Sequence, residues 1–287
     1  MFAIIGIVVL MICVFGGYIM AGGSMKPIIK AAPIETFIIA GAGVGAMLIG
    51  NSLDVIKGVA AGVGKIFKGP KYKKDDYLSI IFIVAKMLKT LKAEGAVALE
   101  AHIENPEGSA IFGEYPALLK DHGLLHFITD TIRLMVVSSS SLSPYAVEEV
   151  MDTAIKTHHH AELKPADALA PLSGALPALG IVACVLGVVK TMDNIDQPPP
   201  VLGGLIGGAL VGTFLGVFFA YGFVDPMANR LKQIIEDEAE IYHVVKQLIV
   251  GTLHGHPMPL IIEAARVSIS HEKQPSFSEV FDGMRGK

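Results

Sequence analysis

The pattern of apolar and polar positions breaks the chain into long apolar stretches separated by two polar regions. Residues 1–25 carry no charged side chain, and neither do residues 201–224. A helix rises about 1.5 Å per residue, so roughly 20 apolar residues cross the hydrocarbon core of a bilayer. The pattern predicts four such spans, at about residues 2–21, 33–53, 169–189 and 201–224. The second is the least pure, with Glu35 at its start and Asp54 just past its end. Short connections, residues 22–32 and 190–200, join the spans in pairs. The expected architecture is an all-α membrane protein with four transmembrane helices as two hairpins. The first hairpin takes residues 1–56, a helical cytoplasmic insertion 57–168, the second hairpin 169–225 and a helical C-terminal tail 226–287.

In the insertion, Ile80, Ile83, Val84, Met87, Leu88 and Leu91 recur at helical spacing, predicting one helix over 77–104. Glu104-Asn105-Pro106-Glu107-Gly108 reads as a turn. A second helix is expected over 118–137, ending in the serines at 138–141, and a third from Pro144 to about residue 160. The tail predicts a helix over 226–253, and nothing in the chain alternates as a strand does.

Charge then sets the orientation. Of the 23 Lys and Arg residues, only Lys26, Lys30 and Lys190 lie in the short connections; the other 20 lie in the insertion and tail. Six of those lysines (57, 65, 68, 71, 73 and 74) crowd the exit of the second span. By the positive-inside rule, insertion, tail and both termini are cytoplasmic. The chain is 52% hydrophobic and 17% charged, with a net charge of -4, which gives no basic face for nucleic acid. Cys13 and Cys184 both lie in apolar runs and read as small buried hydrophobes. The start of the chain lacks the basic residues and cleavage site of a signal peptide.

The candidate chemistry is sparse. The fourth span carries glycines in register, Gly204, Gly208, Gly212 and Gly216, a ridge that permits close helix approach within one subunit or against another. Pro177 in the third span invites a kink, and Pro226 is expected to close the fourth at similar depth. Thr213 either bonds the carbonyl one turn back or faces a hydrated pathway; Ser173 and Tyr221 are the other polar groups nearby. No ionisable group is placed at mid-depth, so the chain either moves no ions or borrows a carboxylate from a partner. His158, His159 and His160 are adjacent, which is the wrong spacing for metal ligands on a helix, and Ala61 to Lys65 lacks the P-loop pattern. No metal, cofactor or enzymatic nucleophile is expected. Lys86, Lys89, Lys92, Glu94 and Glu100 form either a solvated face or a charged docking surface.

Several segments then converge on one family. Val14-Phe15-Gly16-Gly17-Tyr18-Ile19-Met20 followed by Gly22-Gly23-Ser24 resembles the start of the MotA family, the flagellar motor stator subunits. So do Ile39-Ala40-Gly41-Ala42-Gly43, Ile103-Glu104-Asn105-Pro106 and Leu176-Pro177-Ala178-Leu179-Gly180-Ile181-Val182-Ala183. Val211-Gly212-Thr213-Phe214-Leu215-Gly216, Ala220-Tyr221-Gly222-Phe223 and Pro275-Ser276-Phe277 extend the resemblance over essentially the whole chain.

The resemblance implies a homopentamer around two copies of MotB in the bacterial inner membrane. The MotB helix supplies the ion-binding aspartate, and the chain serves motility and chemotaxis as part of an ion channel. It implies roles for Pro177 and Pro226 in conformational change near the ion site and for Thr213 beside the pathway, with Tyr221 and Cys184 in the same region. It assigns Lys92 and Glu100, with Lys89 beside them, to contact with the rotor protein FliG. Lys92 stands where the family usually has Arg, which keeps the charge but loses the two-pronged geometry. Cys184 stands where Ala is common. The expected ion is the proton, because the resemblance is closer to the proton-driven members. The alternatives are an energy transducer of the ExbB/TolQ type, which has a three-span design, and a passive membrane scaffold.

Overall fold

A computed structural model of the chain describes residues 2–137 and 143–285, so the expected helix end at residues 138–141 lies outside the described residues. The longer helices are α1 (Phe2–Met20), α2 (Met25–Gly50), α3 (Leu53–Lys68), α4 (Lys74–Glu94), α5 (Ala96–Glu104), α6 (His122–Val137), α7 (Pro144–Met192), α8 (Pro199–Leu253), α9 (Met258–Val267) and α10 (Phe277–Arg285). Among the described residues there is no strand. Four helices, α1, α2, α7 and α8, are long and apolar enough to cross a membrane. This chain is a multi-pass membrane protein, and the all-helical class follows from its solvent: in lipid each backbone group must be paired within its own segment.

Several boundaries differ from expectation. The second span begins at Met25 rather than near residue 33, because Ser24 caps it, its hydroxyl oxygen accepting from the Lys26 amide. Gly22 turns the chain at φ +82°, and Gly23 sits under the Tyr18 ring, where a Cβ would lie 2.4 Å from the ring carbons. Pro33 is absorbed inside the helix instead of starting it. The third span and the helix predicted to precede it are one 49-residue helix, unbroken through Pro165, Pro171 and Pro177.

Nor does Pro226 close the fourth span. A π-turn at Ala220–Val224 widens α8 just before Pro226, making room for a residue that lacks an N–H and clashes with the preceding turn. The helix then runs on to Leu253. The helix predicted over 77–104 is two: Gly95, at φ +83°, closes α4 by donating to the Leu91 carbonyl, and α5 follows. The amphipathic α3 was hidden in the sequence by its glycines. These are packing positions: Gly58 faces Pro165 and Gly62 faces Leu231, with a Cβ on either 2.6 Å from its neighbour.

The chain forms two compact units, residues 1–69 with 162–235, and residues 70–161 with 236–287. The second unit has a soluble-type core in which Tyr77, Ile81, Val84 and Leu88 of α4 meet Leu99, Phe112, Ile128, Ile132, Val245 and Leu248. Its main buried polar knot is Asp121. That carboxylate accepts from the Tyr72 hydroxyl at 2.5 Å, pairs with Lys71 at 2.8 Å and caps α6 through the Leu124 amide. Burial and the Asp121 bond push the Tyr72 phenol well above its usual range, so it remains a donor. Lys246, half-way along the same core, is held by Asp152 at 2.9 Å and Glu148 at 3.4 Å.

Replacing Asp121 with Ala leaves Tyr72 and Lys71 without their acceptor and is expected to destabilise this unit by about 3 kcal/mol. Asp121→Asn, which keeps the cap and one acceptor, loses about half as much. Denaturant unfolding of the full chain, followed by a probe in this unit, checks the ranking.

Candidate functional site

The residues that carry the family resemblance in the membrane part converge on α8. Its glycines let α7 approach at backbone distance. A Cβ on Gly216 would lie 2.6 Å from the Leu176 carbonyl and 2.8 Å from the Gly180 Cα; one on Gly180 would lie 2.8 Å from the Gly212 carbonyl. Farther along, a Cβ on Gly187 would lie 2.7 Å from the Ala209 Cβ. Gly208 faces Ala31 of α2 loosely, and Gly204 faces open space. The glycine ridge therefore divides: its Gly212 and Gly216 end packs within the subunit, whereas Gly204 has no neighbour within it. On another side of α8, the Phe15 ring of α1 stands edge-on to Phe214 and Phe218 at 6.0 and 5.5 Å.

These contacts fix the antiparallel register of α7 and α8. Ser173 donates to the Ala220 carbonyl at 3.2 Å, Leu176 meets Gly216, and Gly187 meets Ala209. By that register Pro177 is level with Gly216, and Pro226 lies about ten residues, or roughly 15 Å, farther along the bundle. The two prolines are thus not at similar depth, as the sequence suggested. The π-turn lies between their levels, and Ser173 reaches a carbonyl of that turn, which Asp225 N–H also approaches. Tyr221 is exposed on the π-turn, Pro226 is exposed just after it, and Pro177 is half-buried.

Thr213 is half-buried beside Gly212, and among the described residues its hydroxyl makes no hydrogen bond to the carbonyl one turn back. Thr191 does make that bond, to the Gly187 carbonyl at 2.9 Å. The Cys184 amide is 3.1 Å from where a Cβ on Gly212 would stand, so Cys184, Gly212 and Thr213 share one level. Cys184 is half-buried and Cys13 is exposed, so neither cysteine is buried within the subunit; an apolar span is shielded from water by what surrounds the chain, and the subunit's own packing buries no residue of the most apolar stretch of α1.

The residue that sequence reasoning misplaced is Glu35. With α2 starting at Met25, Glu35 is ten residues into the helix, about 15 Å from its end, and is 8% exposed. Its Oε2 lies 2.7 Å from where a Cβ on Gly212 would be. The expectation that no ionisable group reaches mid-depth is therefore wrong. A span beginning at about residue 33 puts Glu35 at its edge; the cap at Ser24, which starts the helix at Met25, is the signal that places it deeper.

In the second unit, Lys89 and Lys92 are exposed on α4 and Glu100 is exposed on α5, on either side of the Gly95 break, and none forms an ion pair among the described residues. Lys86 is different, bound to Glu114 at 2.5 Å. The Ile-Glu-Asn-Pro segment works structurally. Ile103 is buried, Glu104 pairs with Arg133 at 2.7 Å, and the Asn105 side chain accepts from the Gly108 amide. His158 packs on the Tyr242 ring at 4.8 Å, and no group of metal-binding side chains is found among the described residues.

Two family models match in succession: the motility protein A N-terminal model over residues 4–95 and the MotA/TolQ/ExbB proton channel model over residues 120–243. Motility protein A of Salmonella typhimurium and that of Escherichia coli are each 37% identical over 99% of this chain and 95% of their own. The chain belongs to the motility protein A family. The chemotaxis protein LafT of Vibrio parahaemolyticus is 34% identical over 96% of this chain and 95% of its own. Two solved structures share the motility protein A fold. C. jejuni MotAB superposes with a TM-score of 0.73 at 18% identity, over 96% of this chain and 98% of that one. The flagellar MotAB stator complex from Bacillus subtilis gives 0.69 at 23%, over 91% and 92%.

Gly216→Ala is expected to force α7 and α8 apart and to destabilise the membrane unit by about 1–3 kcal/mol, the usual range for overpacking. Gly204→Ala, with open space beside it, is expected to be neutral in the isolated subunit. Thermal aggregation in detergent ranks the two.

Proposed function

We propose that this chain is a stator subunit of the bacterial flagellar motor that, with MotB, forms a proton channel and converts ion-motive force into torque. The observation that carries the reading is full-length identity of 37% to motility protein A, in a chain whose four membrane-capable helices adopt the fold of MotAB chains. In this proposal five copies surround a MotB dimer in the inner membrane, with insertion, tail and termini in the cytoplasm. The lysine distribution supports that orientation.

Protonation of the MotB aspartate removes a charge that is expensive to hold at low dielectric and changes which ring contacts are favourable. The membrane potential supplies about 2.3 kcal/mol per charge per 100 mV, enough for each ion to bias one small step. Near the pathway, Thr213 offers an unbonded hydroxyl at the level of Cys184. The π-turn before Pro226 and the proline at 177 give α8 and α7 weakened backbone ladders where a shape change has least to break. Lys92, Glu100 and Lys89 are exposed and unpaired, as contact with FliG requires. The ExbB/TolQ alternative is less supported, because the N-terminal match is to motility protein A and four helices are long enough to span.

Cells expressing this chain with MotB lacking its plug segment are expected to leak protons and stop growing. The leak should disappear when the MotB aspartate becomes Asn. Absence of flux in both cases, with both proteins inserted, would defeat the channel reading. Pro177→Ala is expected to insert normally and to abolish swimming; wild-type torque in that variant would remove the proline from the mechanism.

A further inference from the structure

A carboxyl group in the middle of a membrane helix is a functional site by default, because burying it is expensive unless something compensates. Glu35 is such a group, and no hydrogen bond among the described residues satisfies it. Its Oε2 is sealed from solvent and has no hydrogen-bond partner, and the residue is more than nine-tenths buried. Gly212 of α8 makes the space it occupies, since any Cβ there would collide with that oxygen. We propose that Glu35 is an intramembrane proton-binding site belonging to this chain itself, separate from the partner's aspartate.

The surroundings say how the proton arrives and why a proton is the occupant. Glu35 stands at the deep end of a cleft of about 610 Å³ between α2, α7 and α8. Lys26, Lys30 and Lys190 line the same cleft toward the connections at residues 22–24 and 193–198. Its deep wall is apolar, formed by Ile38, Ala183 and Ala209. A metal cation needs several oxygen ligands at once, and a single carboxyl among aliphatic side chains cannot supply them. A proton needs only the one oxygen. Water in the cleft delivers it as hydronium, the O–H bond forms on the carboxylate, and water is released; the reverse step returns it.

The charged and titratable groups around Glu35 are few. On its own helix they are Lys30 and Lys26; on α7 they are Lys190 and the Cys184 thiol; the part of α8 that packs against it, residues 199–219, has none.

The site itself does not depend on the stator reading; its contribution to ion flow does. The test uses the full chain reconstituted in lipid without MotB, so that no partner carboxyl contributes. Infrared spectroscopy at neutral pH is expected to show a protonated-carboxyl carbonyl band that shifts on transfer to heavy water and titrates with pH. It should be absent in Glu35→Gln and present, shifted, in Glu35→Asp, both variants eluting as wild type does. Identical spectra in wild type and Glu35→Gln would overturn the site, and a band that does not exchange in heavy water would overturn access through the cleft. Co-expressed with plug-deleted MotB, Glu35→Gln is expected to lower proton flux at least about tenfold, with recovery in Glu35→Asp. Unchanged flux would overturn its part in conduction. A wild-type chain that conducts nothing while the infrared band behaves as described would sink the stator reading and leave the site standing.

Discussion

The backbone-distance approach of α7 and α8 at Gly180, Gly212 and Gly216 is the constraint on which the membrane unit depends. In lipid, helices gain nothing by hiding apolar surface from each other, so association rests on packing and on the few polar groups that find partners. Three glycines let two helices touch along their backbones, and the register they set places everything else. Ser173 falls opposite the Ala220 carbonyl, Cys184 level with Gly212, and the carboxyl of Glu35 in the gap that Gly212 leaves. A Cβ on Gly180 or Gly216 would press on the backbone of the other helix and move it, whereas one on Gly212 would first meet the Glu35 carboxyl.

The same packing leaves much of the apolar surface uncovered. No residue of the most apolar stretch of α1 is buried, and large side chains such as Phe2, Ile12, Phe37 and Ile49 are exposed. For a soluble chain this would be an aggregation liability. For a membrane chain it is the surface offered to lipid and to neighbouring helices. The second unit obeys the other rule. Its helices are amphipathic, its core is closed around Tyr77, Phe112 and Ile132, and Asp121 and Lys246 are each tied into a knot of polar partners.

The wrong expectations share a cause. Pro33 lies inside a helix expected to begin near it, and Pro226 lies inside one it was expected to close. A proline removes one hydrogen bond, and that loss is small against a helix held on several sides by packing. At Pro226 the helix adapts with a π-turn rather than ending. Glycine acts in both directions: Gly95 ends a helix that periodicity extends, while Gly58 and Gly62 are packing positions within α3, which the sequence reading left unassigned. Local propensity counts for less than the partner that a residue meets, and that partner is distant in sequence.

The sequence by itself determined the solvent, the helical class and the four membrane stretches, because runs of about 20 uncharged residues have one stable use. The family was legible from short motifs such as Gly22-Gly23-Ser24 and Ile103-Glu104-Asn105-Pro106, whose local turn and capping roles require those residues in that order. Tertiary structure alone decided depth and pairing. Glu35 became an interior group only when the start of α2 was fixed at Ser24 and the glycine of α8 was brought against it. Likewise the two prolines came apart only when the α7–α8 register was set. Depth in a bundle is a property of contacts between segments far apart in the sequence, as Ser173 is from Ala220 and Glu35 from Gly212, and no local pattern of residues encodes it.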